Sequence, residues 1–321
     1  MNVLISGACG YIGSILVPTL LNASHKVLAL DSLERGGQGL AACCHDPNFE
    51  FVRGDCRDVP TMLKAMAKAD AIIPLAGIVG VGACNRRPKA AQEVNADAIR
   101  QLMHHRSKEQ LVVFPMTNSG YGTKTHEAIC TEDSPLEPIS LYGRTKAEAE
   151  QVVLAGENTV SLRLATVFGM SPAMRWDLIV NDFTRRAVLD RHLTVFEGHF
   201  RRNFVHVRDV ADCFGWMLDR YFGLLEVTNV GSKFKEYIAG VKLQHNVFNL
   251  GNDAANMTKE KLACKVAEIV GNVYVHAAEV GIDPDKRDYV VSNQRLREAG
   301  FEAKRGLEEG IREVMKGVTL L

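Results

Sequence analysis

In the first half of the chain, short β-branched runs alternate with helical patterns, and this alternation restricts the fold more than any other feature. The strand-like runs are Val3-Leu4-Ile5, Lys26 to Leu30, Glu50 to Arg53, Ala71-Ile72-Ile73-Pro74-Leu75, Leu111 to Phe114 and Val160 to Leu164. The first is followed by a helical pattern from Ile15 to Asn22. Apolar strands separated by helices imply a parallel sheet covered on both faces. Right-handed crossovers then give an α/β fold built on a doubly wound sheet.

Beyond Phe168 the pattern loosens. Gly169-Met170-Ser171-Pro172 and Lys233 to Gly240 read as loops or cap segments, whereas Phe204-Val205-His206-Val207 and Val247 to Leu250 again read as sheet or helix. A second domain threaded through the first is therefore expected. Residues 1–167 are expected to form the larger, doubly wound (Rossmann) part, with 203–225 and 246–251 returning to it, and 168–321 mainly a smaller, partly interleaved part.

Of 321 residues, 46% are hydrophobic and 24% charged, an ordinary globular balance. Basic and acidic residues number 38 each, so no overall field recruits nucleic acid or a membrane surface. Met1 runs straight into the first strand, so no signal peptide is expected. No apolar run approaches the roughly 18 residues of a spanning helix. The eight cysteines are scattered, and Cys43-Cys44-His45 lacks the paired spacing of a zinc site. No metal is expected, and reduced thiols fit a cytoplasmic protein.

Gly7-Ala8-Cys9-Gly10-Tyr11-Ile12-Gly13 joins the first strand to the first helix. Its glycines permit a tight turn and close approach of backbone to a pyrophosphate, and the helix start offers free N–H groups and a positive dipole end. Asp31 ends the second strand, eighteen residues beyond Gly13. A carboxylate there accepts ribose hydroxyls and repels a 2′-phosphate, which favours NAD over NADP, although nearby Arg35 can soften that preference. Asp55 and Cys56 close the third strand, where an acid can accept the adenine amino group.

Tyr142-Gly143-Arg144-Thr145-Lys146 opens a helical run extending from Thr145 to Val153. Residues four apart share a helix face, so Tyr142 and Lys146 can point into one cleft. A phenol is a poor base at neutral pH, its reference pKa being about 10. A neighbouring ammonium and a positive nicotinamide both favour the phenolate. Strand carboxyl ends line the ligand crevice of such sheets, and Thr117 sits at the end of the fifth strand. Its hydroxyl can bond the reacting hydroxyl there.

Together these motifs resemble the extended short-chain dehydrogenases, the NAD-dependent nucleotide-sugar epimerases and dehydratases. The resemblance covers nearly the whole chain. It is carried by GxxGxxG at Gly7 to Gly13, Leu75-Ala76-Gly77, Asn95, Thr117 four residues before Tyr121-Gly122, and YxxxK at Tyr142 to Lys146. It implies Thr117, Tyr142 and Lys146 as a catalytic triad. It also implies an NAD site made by Gly7, Gly10, Tyr11, Ile12, Gly13, Asp31, Asp55, Cys56, Leu75, Ala76, Gly77, Asn95, Tyr142, Lys146 and Ala165. Substrate-side positions are Thr117, Asn118, Thr166, Arg202 and Arg287.

Two departures matter. The 4,6-dehydratases of this family carry Thr-Asp-Glu at the fifth strand, where this chain has Thr117-Asn118-Ser119. An amide and a hydroxyl do not readily replace an acid–base pair, which makes elimination the weaker reading. Thr166 stands where many members have Asn near the sugar phosphates.

Phe200 to Val210 resembles the family's R-D-F/Y-I-x-V-x-D segment, and Asp285-Lys286-Arg287-Asp288-Tyr289 a second one. Arg202 and Arg287 match the arginines that meet the substrate diphosphate, a role suited to planar guanidinium groups. Arg201 and Arg208 read as solvated. Trp176 and Phe200 can stack on a base or pack in the core. The Thr-Asn-Ser-Gly-Tyr-Gly run, His199 to Asn203 and Asp283 to Asn293 look most like a GDP-heptose 4-dehydrogenase branch.

The expected activity is oxidation of a sugar C4 hydroxyl on a GDP-, UDP- or similar nucleotide. Tyr142 takes the proton and NAD the hydride. Hydride return to the opposite face makes an epimerase, and release of the ketone a dehydrogenase. A 4,6-dehydratase, a 4-keto-sugar reductase and a non-catalytic NAD-binding sensor stand as alternatives. The resemblance also implies a homodimer joined by the helices near Asn95 and Tyr142, with Ala98, Ile99 and Leu102 available for the joint unless they face the sheet.

Overall fold

The computed structural model describes residues 1–124, 129–223, 245–279 and 287–320. Lys233 to Gly240, Asp283 to Lys286 and the end of the expected returning segment 203–225 lie outside them. The chain runs β1 (Asn2–Ser6), α1 (Gly13–Asn22), β2 (Lys26–Asp31), β3 (Phe49–Arg53), α2 (Val59–Met66) and β4 (Ala71–Pro74). Next come α3 (Val81–Arg86), α4 (Pro88–Gln92), α5 (Ala98–His105), β5 (Leu111–Thr117), β6 (Ile129–Cys130), α6 (Leu141–Leu154), β7 (Thr159–Leu164) and β8 (Thr166–Phe168). The remainder holds α7 (Ile179–Leu189), β9 (His192–Phe196), β10 (Arg201–His206), α8 (Val207–Phe222), β11 (Val247–Leu250), β12 (Asn252–Thr258) and α9 (Lys259–Val270). It closes with β13 (Tyr274–Ala278), β14 (Val290–Val291), α10 (Gln294–Glu298) and α11 (Leu307–Leu320).

Seven parallel strands form one sheet in the order β11-β7-β5-β4-β1-β2-β3. Chain order reverses between β1 and β4, the switch point at which such sheets open a crevice. Both faces are buried, as the uninterrupted apolar runs require. Val3, Ile5, Ile73 and Val113 face one core, with Leu16, Leu20 and Phe214 of α1 and α8. Leu4, Ile72, Val112 and Phe114 face the other. Ile99 and Leu102 of α5 belong to that second core, and Ala98 is also buried, so these three pack inside the protomer.

The Val247–Leu250 run joins this sheet as its edge strand, paired with β7. Phe204 to His206 does not join it: β10 pairs with β8 in parallel and β12 in antiparallel fashion, a separate three-stranded sheet. The helix that follows, α8, lies against α1 on the main sheet. A third core, with Phe168, Phe183, Phe204, Leu262 and Ile311, joins α7, α9 and α11 beneath the small sheet. Among the described residues no helix is long and apolar enough to cross a membrane.

Candidate active site

The carboxyl ends of β1, β2, β3, β4, β5 and β7 open into one cavity of about 1100 Å³. That exceeds the roughly 300–1,000 Å³ of a pocket for one small ligand, and suits two ligands end to end.

Its floor at one end is the glycine loop. Gly7 has φ +73°, and a Cβ there would lie 2.5 Å from the Ala76 backbone nitrogen. A Cβ at Gly13 would lie 2.3 Å from the Ala8 carbonyl, whereas one at Gly10 would meet only the Gly7 carbonyl, at 3.2 Å. Gly7 and Gly13 thus let β1, β4 and α1 close together, and Gly10 leaves its cavity side open. Ile12 caps α1 without a side-chain bond; the Ser14 and Ile15 N–H groups go to the Gly10 and Ile12 carbonyls, and the helix start turns its positive dipole end towards an anion. The Asp31 carboxylate is held by the backbone N–H groups of Cys9 (2.9 Å) and Leu33 (2.8 Å), aimed into the same end. This cradle fits a dinucleotide.

Other residues at this end are already engaged within the protein. The Tyr11 hydroxyl donates to the Gly169 carbonyl at 2.6 Å and accepts from Asn181. Burial pushes its pKa upward. Asp55 is gripped by the Arg57 guanidinium, which holds its carboxyl below the usual range. Burial, with help from Asp55, pushes the Cys56 thiol up to about 12, so it lines the cavity as a neutral group. Leu75, Ala76, Gly77 and Ala165 line the wall. Asn95 sits in a single π-helical turn, Glu93–Asp97. Its amide bonds both backbone groups of Ile78 (2.8 and 3.0 Å) and the Thr145 hydroxyl (3.2 Å). It therefore ties the loop after β4 to α6.

In mid-cavity, α6 starts earlier than the sequence pattern indicates. Ser140 caps it by accepting from the Gly143 N–H (3.1 Å), which puts Tyr142 in the first turn and Lys146 one turn on. Both line the cavity beside Thr117. Burial pushes the Tyr142 phenol up to about 12, against the pull of Arg175, Arg287 and a hydrogen bond with Thr117. Burial likewise pushes Lys146 down to about 7, opposed by Glu150. The Lys146 ammonium lies 4.0 Å from the centroid of the Phe114 ring.

Within Thr117-Asn118-Ser119, it is Ser119 that lines the cavity beside Thr117. The Thr117 hydroxyl donates to the Ser119 hydroxyl at 2.9 Å, and the Arg287 guanidinium donates to it as well. Asn118 is buried, is not part of the lining, and neither end of its amide has a hydrogen-bond partner.

The far end is lined by Thr166, Arg186, Thr194, Phe196, Arg202, Lys259 and Arg287. Arg202 is buried on β10, and Lys259 stands at the start of α9 with its ammonium on the Phe196 carbonyl. Four cations line this part, Arg186 being paired with Asp182 at 3.4 Å, and such groups suit a diphosphate. Trp176 and Phe200 are not part of the lining: Trp176 lies under the Arg185 guanidinium and Phe200 near Lys259. Arg201 is not solvated, because Asp288 binds its Nε at 2.9 Å. Arg208 reaches Glu313.

Sequence reasoning did not single out Arg175, Asp177, Ser119 or Lys259. Arg175 and Asp177 fall in the stretch after Phe168 where periodicity fades, so no pattern marks them. Ser119 was hidden by its neighbour, because a strand end running into a 3₁₀ turn (Asn118–Tyr121) does not alternate faces.

The family model described as the NAD dependent epimerase/dehydratase family matches residues 3–231. The low-salt glycan biosynthesis protein Agl12 of Haloferax volcanii is 28% identical, over 97% of this chain and 96% of its own. UDP-glucose 4-epimerase of Lactobacillus helveticus is 28% identical over 66% of this chain and 70% of its own. Among solved structures, Pal from Bacillus thuringiensis superposes with a TM-score of 0.82 at 21% identity, over 100% of this chain and 99% of that one. The Thermus thermophilus UDP-glucose 4-epimerase complex with NAD gives 0.79 at 24% identity, over 99% of each chain. A glycine cradle at the switch point, an apolar-walled cavity and this family match over most of the chain lead to one assignment: the protein belongs to the NAD-dependent epimerase/dehydratase family.

Proposed function

We propose that the protein oxidises C4 of a nucleotide-activated sugar, as a 4-epimerase or 4-dehydrogenase. The observation that carries this reading is one cavity lined by Thr117, Tyr142 and Lys146 together with the glycine cradle and the cations Arg202, Lys259 and Arg287. The residues from Gly7 to Gly13, with Asp31, hold NAD in preference to NADP. NAD supplies, when bound, a reversible acceptor for the C4 hydride. Tyr142, as phenolate, takes the proton of the C4 hydroxyl, and Thr117 bonds the same oxygen and orients it. Lys146 holds the nicotinamide ribose and, while charged, stabilises the phenolate. Arg202 and Arg287 fix the diphosphate, so the sugar ring falls beside Tyr142. On this reading residues 1–167, with α8 and β11, form the cofactor-binding part and the rest mainly the substrate-binding part.

Elimination of water is disfavoured by the absence of carboxylates at 118 and 119: Asn118 is buried away from the cavity and the Ser119 hydroxyl is held by Arg287. Two nucleotide sugars merit the first trial, a GDP-heptose from the resemblance and UDP-glucose from the named relatives. Each is mixed with the NAD-loaded protein, and the reduced-nicotinamide absorbance and the product NMR spectrum are followed. A 4-epimer with catalytic cofactor identifies an epimerase, and a 4-ketone with stoichiometric reduced cofactor a dehydrogenase. Loss of the C6 oxygen, or no change with any nucleotide sugar, contradicts the proposal. We also propose a homodimer joined through the outward faces of α5 and α6; since Ala98, Ile99 and Leu102 face the protomer core, that joint must use other residues. Sedimentation at micromolar concentration should give twice the chain mass, and a monomer contradicts it.

A further inference from the structure

Arg175 is the buried cation in the cavity wall for which the reaction scheme above has no role. It lies in the segment between β8 and α7, is only 8% exposed, and lines the cavity with Tyr142. Its backbone carbonyl accepts from the Asn181 amide at 3.0 Å. The same amide group donates to the Tyr11 hydroxyl, and its oxygen accepts from the Gly169 N–H. Arg175 is therefore locked to the glycine loop through a buried polar chain.

Its guanidinium is equally fixed. Nε and Nη2 bond the two Asp177 oxygens at 2.5 and 2.6 Å, and Nη2 lies 3.9 Å from where a Cβ would project from Gly80. Gly80 caps α3, whose Cys84 packs with Ile78 against Tyr142. Arg175 thus crosses from the substrate-side wall to the loop that supports Tyr142. The ion pair is unevenly exposed: the Asp177 side chain is 66% accessible and that of Arg175 only 9%. Water screens the negative half, while the positive half acts through protein.

We infer that Arg175 is a positioning residue for the proton transfer: held in the wall it shares with Tyr142, its guanidinium is the fixed positive charge that favours the charged form of the Tyr142 oxygen as it acts as the base. This rests on Tyr142 being that base. No bond to Arg175 forms or breaks; the proton passes from the sugar hydroxyl oxygen to the Tyr142 oxygen. Other groups facing the phenol are Arg287, the Thr117 hydroxyl, Cys84 of α3 and Lys146 one turn along α6. Burial pushes the phenol up, Arg175 leads the charges that pull it back, and Lys146, itself weakened by burial, has less charge to offer near neutrality.

The test titrates the phenolate absorbance of the NAD-saturated protein, each variant being measured with and without Tyr142→Phe so that the difference isolates Tyr142. An opposite charge nearby is worth about one pH unit or more. Arg175→Gln should raise the midpoint by at least that much, Arg175→Lys should restore most of it, and Asp177→Asn should lower it. An unchanged midpoint in a folded Arg175→Gln overturns the inference. If that variant fails to fold, Asp177→Asn decides, and a midpoint that stays or rises overturns it. Near-normal turnover by Tyr142→Phe would instead remove the base assignment, while the titration would still report whether Arg175 acts on the phenol.

Discussion

Tyr142 and Lys146 share one helix face, and burial displaces both from their ordinary proton affinities in the direction that disfavours charge. For Lys146 this has a consequence for stability that is separate from catalysis. The unfolded chain holds this proton up to about the ordinary lysine value of 10.5, the folded cofactor-free protein only up to about 7. Between those values the unfolded state binds more protons, so this group's contribution to stability rises with pH. Below about 7 both states are charged and the full burial penalty applies. Lys146→Met should therefore melt higher than the parent at about pH 6, and the gap should close by about pH 10. A gap independent of pH would mean that the ammonium is well solvated in the folded state. Tyr142 opposes this trend only at higher pH: its raised value means folding costs stability as pH climbs from about 10 to about 12.

At the scale of elements, α6 is tied down by a polar network under the sheet. Glu150, one turn beyond Lys146, accepts from Arg163 Nε (3.0 Å) and Nη2 (2.9 Å) and from the Ser161 hydroxyl (2.5 Å), all of them buried. Arg163 continues to the Tyr121 hydroxyl at 3.0 Å, and Tyr121 donates to Asn249 of β11 at 2.7 Å. The chain of bonds links α6, β7, the turn after β5 and the edge strand. Glu150→Gln leaves Arg163 with an uncompensated buried charge, a change that typically costs about 3–5 kcal/mol. Urea unfolding measures it directly, and a loss below about 1 kcal/mol would show that Arg163 finds water or another partner.

The same elements mark the limit of what sequence discloses. The strands of the main sheet and the glycine turn were legible because their signals are local: period, β-branching and fixed spacing. The start of α6 was placed late because its cap, Ser140, precedes the recognisable YxxxK. The pairing of β10 with β8 and β12 rests on contacts between residues 166–168, 201–206 and 252–258, which no local pattern encodes. Within the candidate site, motif residues such as Thr117, Tyr142 and Lys146 line the cavity, whereas Arg175 carries no local signal, because its meaning depends on Gly80 and Asp177 being near it in space. Asn118 was read as facing substrate, and the 3₁₀ turn puts Ser119 there instead.

At the scale of the molecule, the seven-stranded sheet and the small three-stranded sheet frame a cavity with a dinucleotide cradle at one end and cations at the other. The account turns on Tyr142 as the group that takes the proton in between. Tyr142→Phe removes only the hydroxyl, leaving the ring, Lys146 and the glycine cradle, so NAD and nucleotide sugar should still bind. Stopped-flow absorbance of reduced nicotinamide, after mixing the NAD-loaded protein with its nucleotide sugar, should show the oxidation slowed by at least about 10²-fold and up to about 10⁴-fold, with substrate affinity little changed. A rate in the Phe variant close to that of the parent protein would contradict the account.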